Sequence, residues 1–208
     1  MQTELILIRH GETVWNAQGR FQGQQDSPLT PKGVAQAQAV AAYLRDQGIN
    51  ALYTSDLGRT LETARHIAAA TGLPVVSDPA LRERNLGILE GLTRAEAETS
   101  YPAEFARYLA REPDFVLPEG ESLLDVERRA CEVLATLAER HRGERVAVVS
   151  HGGLLTAFAR CILGVPVQLR TRFALRNASL SRALYNGAPP DEWILLSLGE
   201  VTHLDGLC

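Results

Sequence analysis

Apolar positions along the chain fall into short blocks that alternate between two periods. Leu5-Ile6-Leu7-Ile8 is an unbroken apolar run, the pattern of a strand buried on both faces of a parallel sheet, and it predicts a strand over residues 4–9. Val34, Ala37, Ala41 and Leu44 then recur at helical spacing behind Thr30-Pro31, where threonine caps a helix and proline suits its first position. Residues 51–54 predict a second strand. Ser55-Asp56 reads as a cap for a helix that buries Leu57, Leu61, Ala64 and Ala68 and stops at Gly72. Pro74-Val75-Val76 is a third short strand. Ser122 and Asp125 form a capping-box pattern ahead of a long helix over 122–142, with Leu123, Val126, Ala130, Leu134 and Leu137 on its apolar face. A strand over 145–150 leads into a helix carrying Leu155, Phe158, Ala159 and Ile162. Strands over 178–185 and 193–198, joined by a turn at Asn186-Gly187, close the chain.

Strands alternating with helices predict an α/β fold. The expected architecture is a three-layer α/β/α sandwich on a mostly parallel sheet, with an antiparallel C-terminal edge. No repeat, low-complexity tract or linker divides the chain, so residues 1–208 read as one domain. Three segments lack strong periodicity. The loop after the first strand runs to Ser27-Pro28 and holds Gly19 and Gly23. Residues 81–91 carry two glycines and mixed charge. Residues 92–121 form a lid-like helical excursion with one or two short helices, carrying Tyr101, Phe105 and Tyr108; such an excursion suits a cover over a site.

Composition adds boundaries. The net charge of −4 creates no field favouring nucleic acid or anionic lipid, so neither a nucleic-acid nor a membrane partner is expected. No apolar run reaches the length of a membrane span, and the first strand starts too early for a signal peptide. The three cysteines (Cys131, Cys161 and Cys208) are spaced unlike metal ligands. Cys131 and Cys161 read as small core residues of helices. The expectation is a cytoplasmic protein without a structural metal.

Chemistry concentrates where two strands end. The first delivers Arg9, His10, Gly11 and Glu12; the strand over 145–150 delivers His151, Gly152 and Gly153. Ligands of open α/β sheets bind at the carboxyl ends of strands, and a helix N-terminus presents free N–H groups to an anion. Two histidines so placed can share one crevice. Arg59 lies in the first turn of its helix, where a cation opposes the helix dipole unless it serves a ligand. The plain alternatives are ordinary strand-end polars and a surface arginine.

Arg9-His10-Gly11-Glu12-Thr13-Val14-Trp15-Asn16 resembles the signature of the histidine phosphatase superfamily, in its phosphoglycerate mutase-like branch. Further segments agree in order and spacing: Pro28-Leu29-Thr30-Pro31-Lys32-Gly33, the stretch from Ser55 through Arg59, Leu81-Arg82-Glu83-Arg84-Asn85-Leu86-Gly87, Gly120-Glu121-Ser122 and Ser150-His151-Gly152-Gly153. The resemblance covers nearly the whole chain. Carried over by position, it implies a phosphoglycerate mutase-like fold, His10 as a nucleophile that becomes phosphohistidine, and Arg9, Arg59 and His151 holding the phosphoryl oxygens. It further implies Asn16 assisting them, Gln22, Gly23 and Gly152 beside the phosphate, and Glu83 as proton donor to the leaving alcohol. Arg94 falls where mutases carry a basic substrate-binding residue. His66, His141 and His203 lack such context and read as structural or solvent-facing.

The residue types fit that chemistry. Phosphoryl transfer depends on positioning and charge neutralisation, which two arginines supply without a metal. A neutral imidazole can attack phosphorus and divide one displacement into two. The expected activity is that of a hydrolase: a metal-independent phosphomonoesterase of histidine acid phosphatase type, acting on a small-molecule phosphate ester with no cofactor. A homodimer is left open. Against a mutase stand Gly153, where mutases tend to carry asparagine, and a short excursion with only scattered arginines, Arg107 and Arg111. The tail around Gly199-Glu200 resembles that of the small broad-specificity phosphatases. A phosphoglycerate mutase-type phosphomutase is the alternative, and a non-catalytic phosphate-binding protein the third reading.

Overall fold

The computed structural model describes residues 1–187 and 192–207. Its strands are β1 (Thr3–Arg9), β2 (Ala51–Thr54), β3 (Val75–Ser77), β4 (Arg145–Ser150), β5 (Leu180–Tyr185) and β6 (Trp193–Glu200). Its α-helices are α1 (Val14–Gln18), α2 (Pro31–Leu44), α3 (Gly58–Thr71), α4 (Arg94–Ser100), α5 (Pro102–Ala110), α6 (Leu123–Arg140) and α7 (Gly152–Ile162). The six strands form one sheet in the order β3-β2-β4-β1-β5-β6. β1 pairs parallel with β4 and antiparallel with β5. Because β6 is antiparallel to β5, β5 alone runs against the rest.

The four-residue apolar run of β1 explains why it lies inside the sheet. Leu5 and Leu7 face the layer built on α6 and α7, packed with Val146, Val148, Leu134 and Phe158. Ile6 and Ile8 face the layer of α2 and α3, packed with Val40, Leu44, Ile67 and Val149. Each of the four is at most 2% exposed, and burial of such a side chain contributes about 1.5–3 kcal/mol. A third cluster lies apart from the sheet, where Leu89, Phe105, Phe115 and Leu117 pack under α4 and α5.

Strand register positions the chemistry. In the β1–β4 ladder Arg9 is level with Ser150, so His10 and His151 leave adjacent parallel strands at the same height. Neighbouring strands lie about 4.8 Å apart, and the two imidazole centroids are 5.3 Å apart.

Several local expectations are corrected. Ser55-Asp56 does not cap α3: Leu57 holds the cap position without a side-chain hydrogen bond. The Asp56 carboxylate is instead gripped on both oxygens by Arg82, at 2.7 and 2.5 Å. The long loop after β1 contains a helix that periodicity missed. α1 is too short to show a repeat, but Thr13 and Asn16 form a reciprocal capping box at its start. Cys131 and Cys161 are not separate core residues. Their sulfurs are joined across α6 and α7, with Cα atoms 7.0 Å apart, because the two helices pack side by side on one face of the sheet. Cys161 is exposed and Cys131 only half-buried. The bond from Asn186 N to Glu192 O, 2.8 Å, closes the β5–β6 connection. The turn predicted at Asn186-Gly187 borders residues 188–191, which lie outside the described residues, as does Cys208. Among the described residues no helix is long and apolar enough to cross a membrane.

Candidate active site

His10 is held by its own strand end. Its Nδ1 lies 2.8 Å from the Gly11 carbonyl oxygen. A carbonyl only accepts, so Nδ1 carries the proton and Nε2 keeps its lone pair. The ring is 3% exposed and lines a cavity of about 410 Å³ at the carboxyl edge of the sheet. His151, at the N-cap of α7, has the opposite tautomer. Arg59 Nε donates to its Nδ1 at 3.2 Å, so Nε2 carries the proton. That Nε2–H is buried and has no partner. One imidazole thus offers a lone pair and its neighbour a donor.

Arg59 is 1% exposed and organises as well as binds. Nη1 donates to the Gln25 carbonyl at 2.7 Å and to Asp26 Oδ1 at 3.1 Å; Nη2 donates to the Gly23 carbonyl at 2.7 Å. With Nε on His151, one Nη2 hydrogen remains for a ligand. These bonds fix the loop that carries Gln22 and Gly23 into the cavity. Glu90, which the sequence reading passed over, completes that loop by accepting from the amides of Gln24 at 2.8 Å and Gln25 at 3.0 Å. Arg9 donates from Nη1 to the Leu175 carbonyl at 2.7 Å, while its Nε is buried without a partner.

Asn16 and Gln22 are both turned by their oxygens. Asn16 Oδ1 accepts from Thr13 N at 3.1 Å and from Asn177 Nδ2 at 3.0 Å. Gln22 Oε1 accepts from the Thr13 hydroxyl at 3.0 Å. Both side chains line the cavity, and what each has left is its NH₂, a donor pair suited to an anion. Gly152 lies against the Arg9 guanidinium, so close that a Cβ there would meet Arg9 Nε at 3.3 Å.

Glu83 reaches the same edge from the loop before α4. Its Oε2 accepts from Gly153 N at 2.8 Å. Its Oε1 accepts from Leu154 N at 3.0 Å and from Arg84 N at 2.8 Å. The carboxylate therefore sits on the N-terminus of α7, where free amides and the helix dipole favour a negative group. A side chain at residue 153 would overlap Glu83 Oε1.

The family model described as histidine phosphatase superfamily, branch 1, matches residues 5–198. The chain belongs to that superfamily. It is 44% identical over 206 residues to a protein of Yersinia enterocolitica named probable phosphoglycerate mutase GpmB, with 97% of this chain and 95% of that protein covered. Among solved structures it is similar to Bacillus stearothermophilus YhfR, at TM-score 0.91 and 34% identity, covering 97% of this chain and 99% of that one. A mycobacterial glucosyl-3-phosphoglycerate phosphatase is similar at TM-score 0.82 and 32% identity, covering 97% and 100%.

In this histidine phosphatase superfamily member, burial holds both imidazoles well below the ordinary histidine range. The cations Arg59 and Arg9 add to that for both rings. Each ring is kept neutral, as a lone-pair nucleophile and a neutral donor require.

Of the sequence-predicted site residues, Arg9, His10, Asn16, Gln22, Gly23, Arg59, Glu83 and Gly152 line the cavity, with His151 buried beside His10. Arg94 is the exception. It is exposed on α4, its guanidinium 5.6 Å from the Phe105 ring, and it lines an adjoining depression that shares Arg84, Tyr108, Arg111 and Leu123 with the cavity. Of the two scattered arginines expected in the 92–121 excursion, Arg111 lines the cavity and Arg107 does not. Arg111 at the end of α5, Arg84 beside Glu83 and Arg160 on α7 all line the cavity, with Tyr108. They are far apart in sequence and belong to different elements, so no local pattern could gather them. Of the other histidines, His141 bonds Tyr53 and Glu144 and His203 bonds the Ala178 carbonyl; His66 is half-buried on α3.

Proposed function

We propose that the chain is a phosphomonoesterase working through a phosphohistidine. The observation that carries this is the pairing of His10 Nε2, a buried lone pair facing the cavity, with a carboxylate anchored on the α7 amides of the same cavity. Nε2 attacks phosphorus as the bond to the ester oxygen breaks. Glu83 as the acid gives its proton to the departing alcohol; Oε2, which accepts one amide bond where Oε1 accepts two, is the oxygen left to exchange it. Water then attacks the phosphohistidine and Glu83 takes its proton, releasing phosphate and restoring Nε2. Arg9, Arg59, the His151 Nε2–H and the amide groups of Asn16 and Gln22 spread over the phosphoryl oxygens, in the electrostatic manner this transfer needs.

The cavity size supports hydrolysis of a sizeable ester. About 410 Å³ falls within the roughly 300–1,000 Å³ of sites that enclose drug-sized ligands; a three-carbon phosphoester fills little of it. Apolar residues Leu123, Val126 and Val167 line it as well. The name carried by the Yersinia relative and the inward-facing arginines favour a second reading, a phosphomutase. Phosphate release from a panel of monoesters, set against interconversion of 2- and 3-phosphoglycerate on the same preparation, separates them. Phosphate release is expected. Efficient interconversion with negligible release makes the mutase reading correct, and neither activity leaves a phosphate-binding protein.

A further inference from the structure

The strand that bears the nucleophile ends against a turn just before β5. Residues 176–179 form it, closed by Ser179 N donating to the Arg176 carbonyl at 3.0 Å. Two consecutive residues of this turn donate to the carbonyls of Arg9, His10 and Gly11. Ala178 N donates to the Arg9 and His10 carbonyls, at 3.0 and 3.1 Å. Asn177 Nδ2 donates to the His10 and Gly11 carbonyls, at 3.1 and 3.3 Å, and to Asn16 Oδ1 at 3.0 Å. Arg9 N donates back to the Ser179 carbonyl at 3.1 Å. The β1–β5 ladder has its last rung at Ile8 and Leu180. Beyond it the strand-end carbonyls need donors from elsewhere, and the turn supplies them.

Ala178 makes this reach with a left-handed backbone, φ 58°, that a residue with a Cβ rarely adopts. It is fully buried, and His203 Nε2 donates to its carbonyl at 2.9 Å. Backbone held in such a region by its surroundings gathers at functional sites. Two of the acceptors it serves matter to the chemistry. The Gly11 carbonyl also accepts from His10 Nδ1, the bond that leaves Nε2 as a lone pair. Asn16 Oδ1 is the oxygen whose capture leaves the Asn16 NH₂ to the cavity. Its other donor, Thr13 N, belongs to the α1 capping box; Asn177 ties the same amide to the strand end carrying His10. Asn177 is not among the residues lining the cavity and instead lines a depression that shares Arg9 and Leu175 with it.

We propose that Asn177 is a positioning residue: its side-chain amide fixes the Gly11 carbonyl that orients His10 and turns the Asn16 NH₂ toward the phosphoryl oxygens. Two amide hydrogens serve three oxygens, so nucleophile and phosphate ligand are held at one point. The proposal rests on the phosphomonoesterase reading for its effect on rate, though not for its effect on anion binding.

Asn177→Leu keeps the bulk and removes the donor. It should lower kcat/KM by about tenfold to 10²-fold, up to the scale of one lost oxyanion donor. The loss should be equal on an alkyl phosphate and on p-nitrophenyl phosphate, because phosphoryl placement is impaired and leaving-group protonation is not. Asn16→Ala should also be impaired, and the double variant should lose less than the product of the two, since Asn177 acts in part through the amide that Asn16→Ala deletes. A role in folding alone would make the two losses multiply. Should Asn177→Leu not fold, Asn177→Ala removes the same donor without bulk and carries the test. Orthovanadate binding, followed calorimetrically, needs no turnover and should weaken about tenfold in the variant. Unchanged kcat/KM with unchanged vanadate affinity, or losses that multiply with those of Asn16→Ala, overturn the positioning role. Weakened vanadate binding in the variant, with no phosphate released from either ester by the native protein, would overturn the hydrolase reading and keep Asn177 in its role.

Discussion

The carboxylate of Glu83 occupies the space that a side chain on Gly153 would need. Two amides at the start of α7 hold it there, Gly153 N at 2.8 Å and Leu154 N at 3.0 Å. A glycine at residue 153 is therefore part of how the acid is positioned. Gly153→Ala should push the carboxylate off the helix and slow hydrolysis of an alkyl phosphate by about 10²-fold, the lower scale of general acid catalysis. The helix itself should be unharmed, since alanine is the better helix former. Full activity on alkyl phosphates in a folded Gly153→Ala protein would remove the positioning role.

Glu83→Gln tests the acid directly. Loss should reach about 10²–10⁴-fold on an alkyl phosphate and be far smaller on p-nitrophenyl phosphate, whose phenolate leaves without a proton. Equal losses on both substrates would assign Glu83 to positioning rather than proton transfer.

His10→Ala should abolish turnover together with an acid-labile phosphoenzyme, detectable by quenching with labelled substrate. The variant should still bind phosphate, because Arg9, Arg59 and His151 remain. Substantial turnover in it would exclude the covalent route.

These predictions draw unequally on what could be read from the chain alone. The buried run Leu5-Ile6-Leu7-Ile8 announces an inner strand because only a strand covered on both faces is apolar at every position. Two strands ending in histidine announce the crevice, since register does the rest. The orientation of the rings was not legible. It depends on Arg59 reaching His151 from another element and on a carbonyl beside His10, neither of which leaves a periodic trace. Three further arginines of the cavity left no such trace either. Arg84 follows a loop acid, Arg111 ends α5 and Arg160 shares a helix read only for its apolar face; packing alone brings them to one cavity. Glu90 was missed because a carboxylate that accepts backbone amides looks, in sequence, like any surface acid.

The neutral imidazoles also set a pH dependence. Burial, reinforced by Arg59 and Arg9, keeps His10 unprotonated below the ordinary histidine value of 6.5, so the acid limb of kcat/KM due to the nucleophile should lie below pH 6.5. Substrates with different phosphate pKa values distinguish that limb from their own titration: a limb that follows the substrate is not His10. Stability should move in the same direction. Below pH 6.5 the unfolded chain binds a proton at residues 10 and 151 that the folded chain refuses, so the unfolded state gains as pH falls. The stability conferred by the lowered values is fully present above 6.5. It is lost on acidification through the folded pKa, at up to about 1.4 kcal/mol per pH unit for each ring. Denaturant midpoints measured between pH 7.5 and 5 (values chosen to bracket the ordinary histidine range) should fall in the native protein and fall less steeply in His151→Gln. An unchanged slope in that variant would mean that His151 accepts its proton without unfolding the chain.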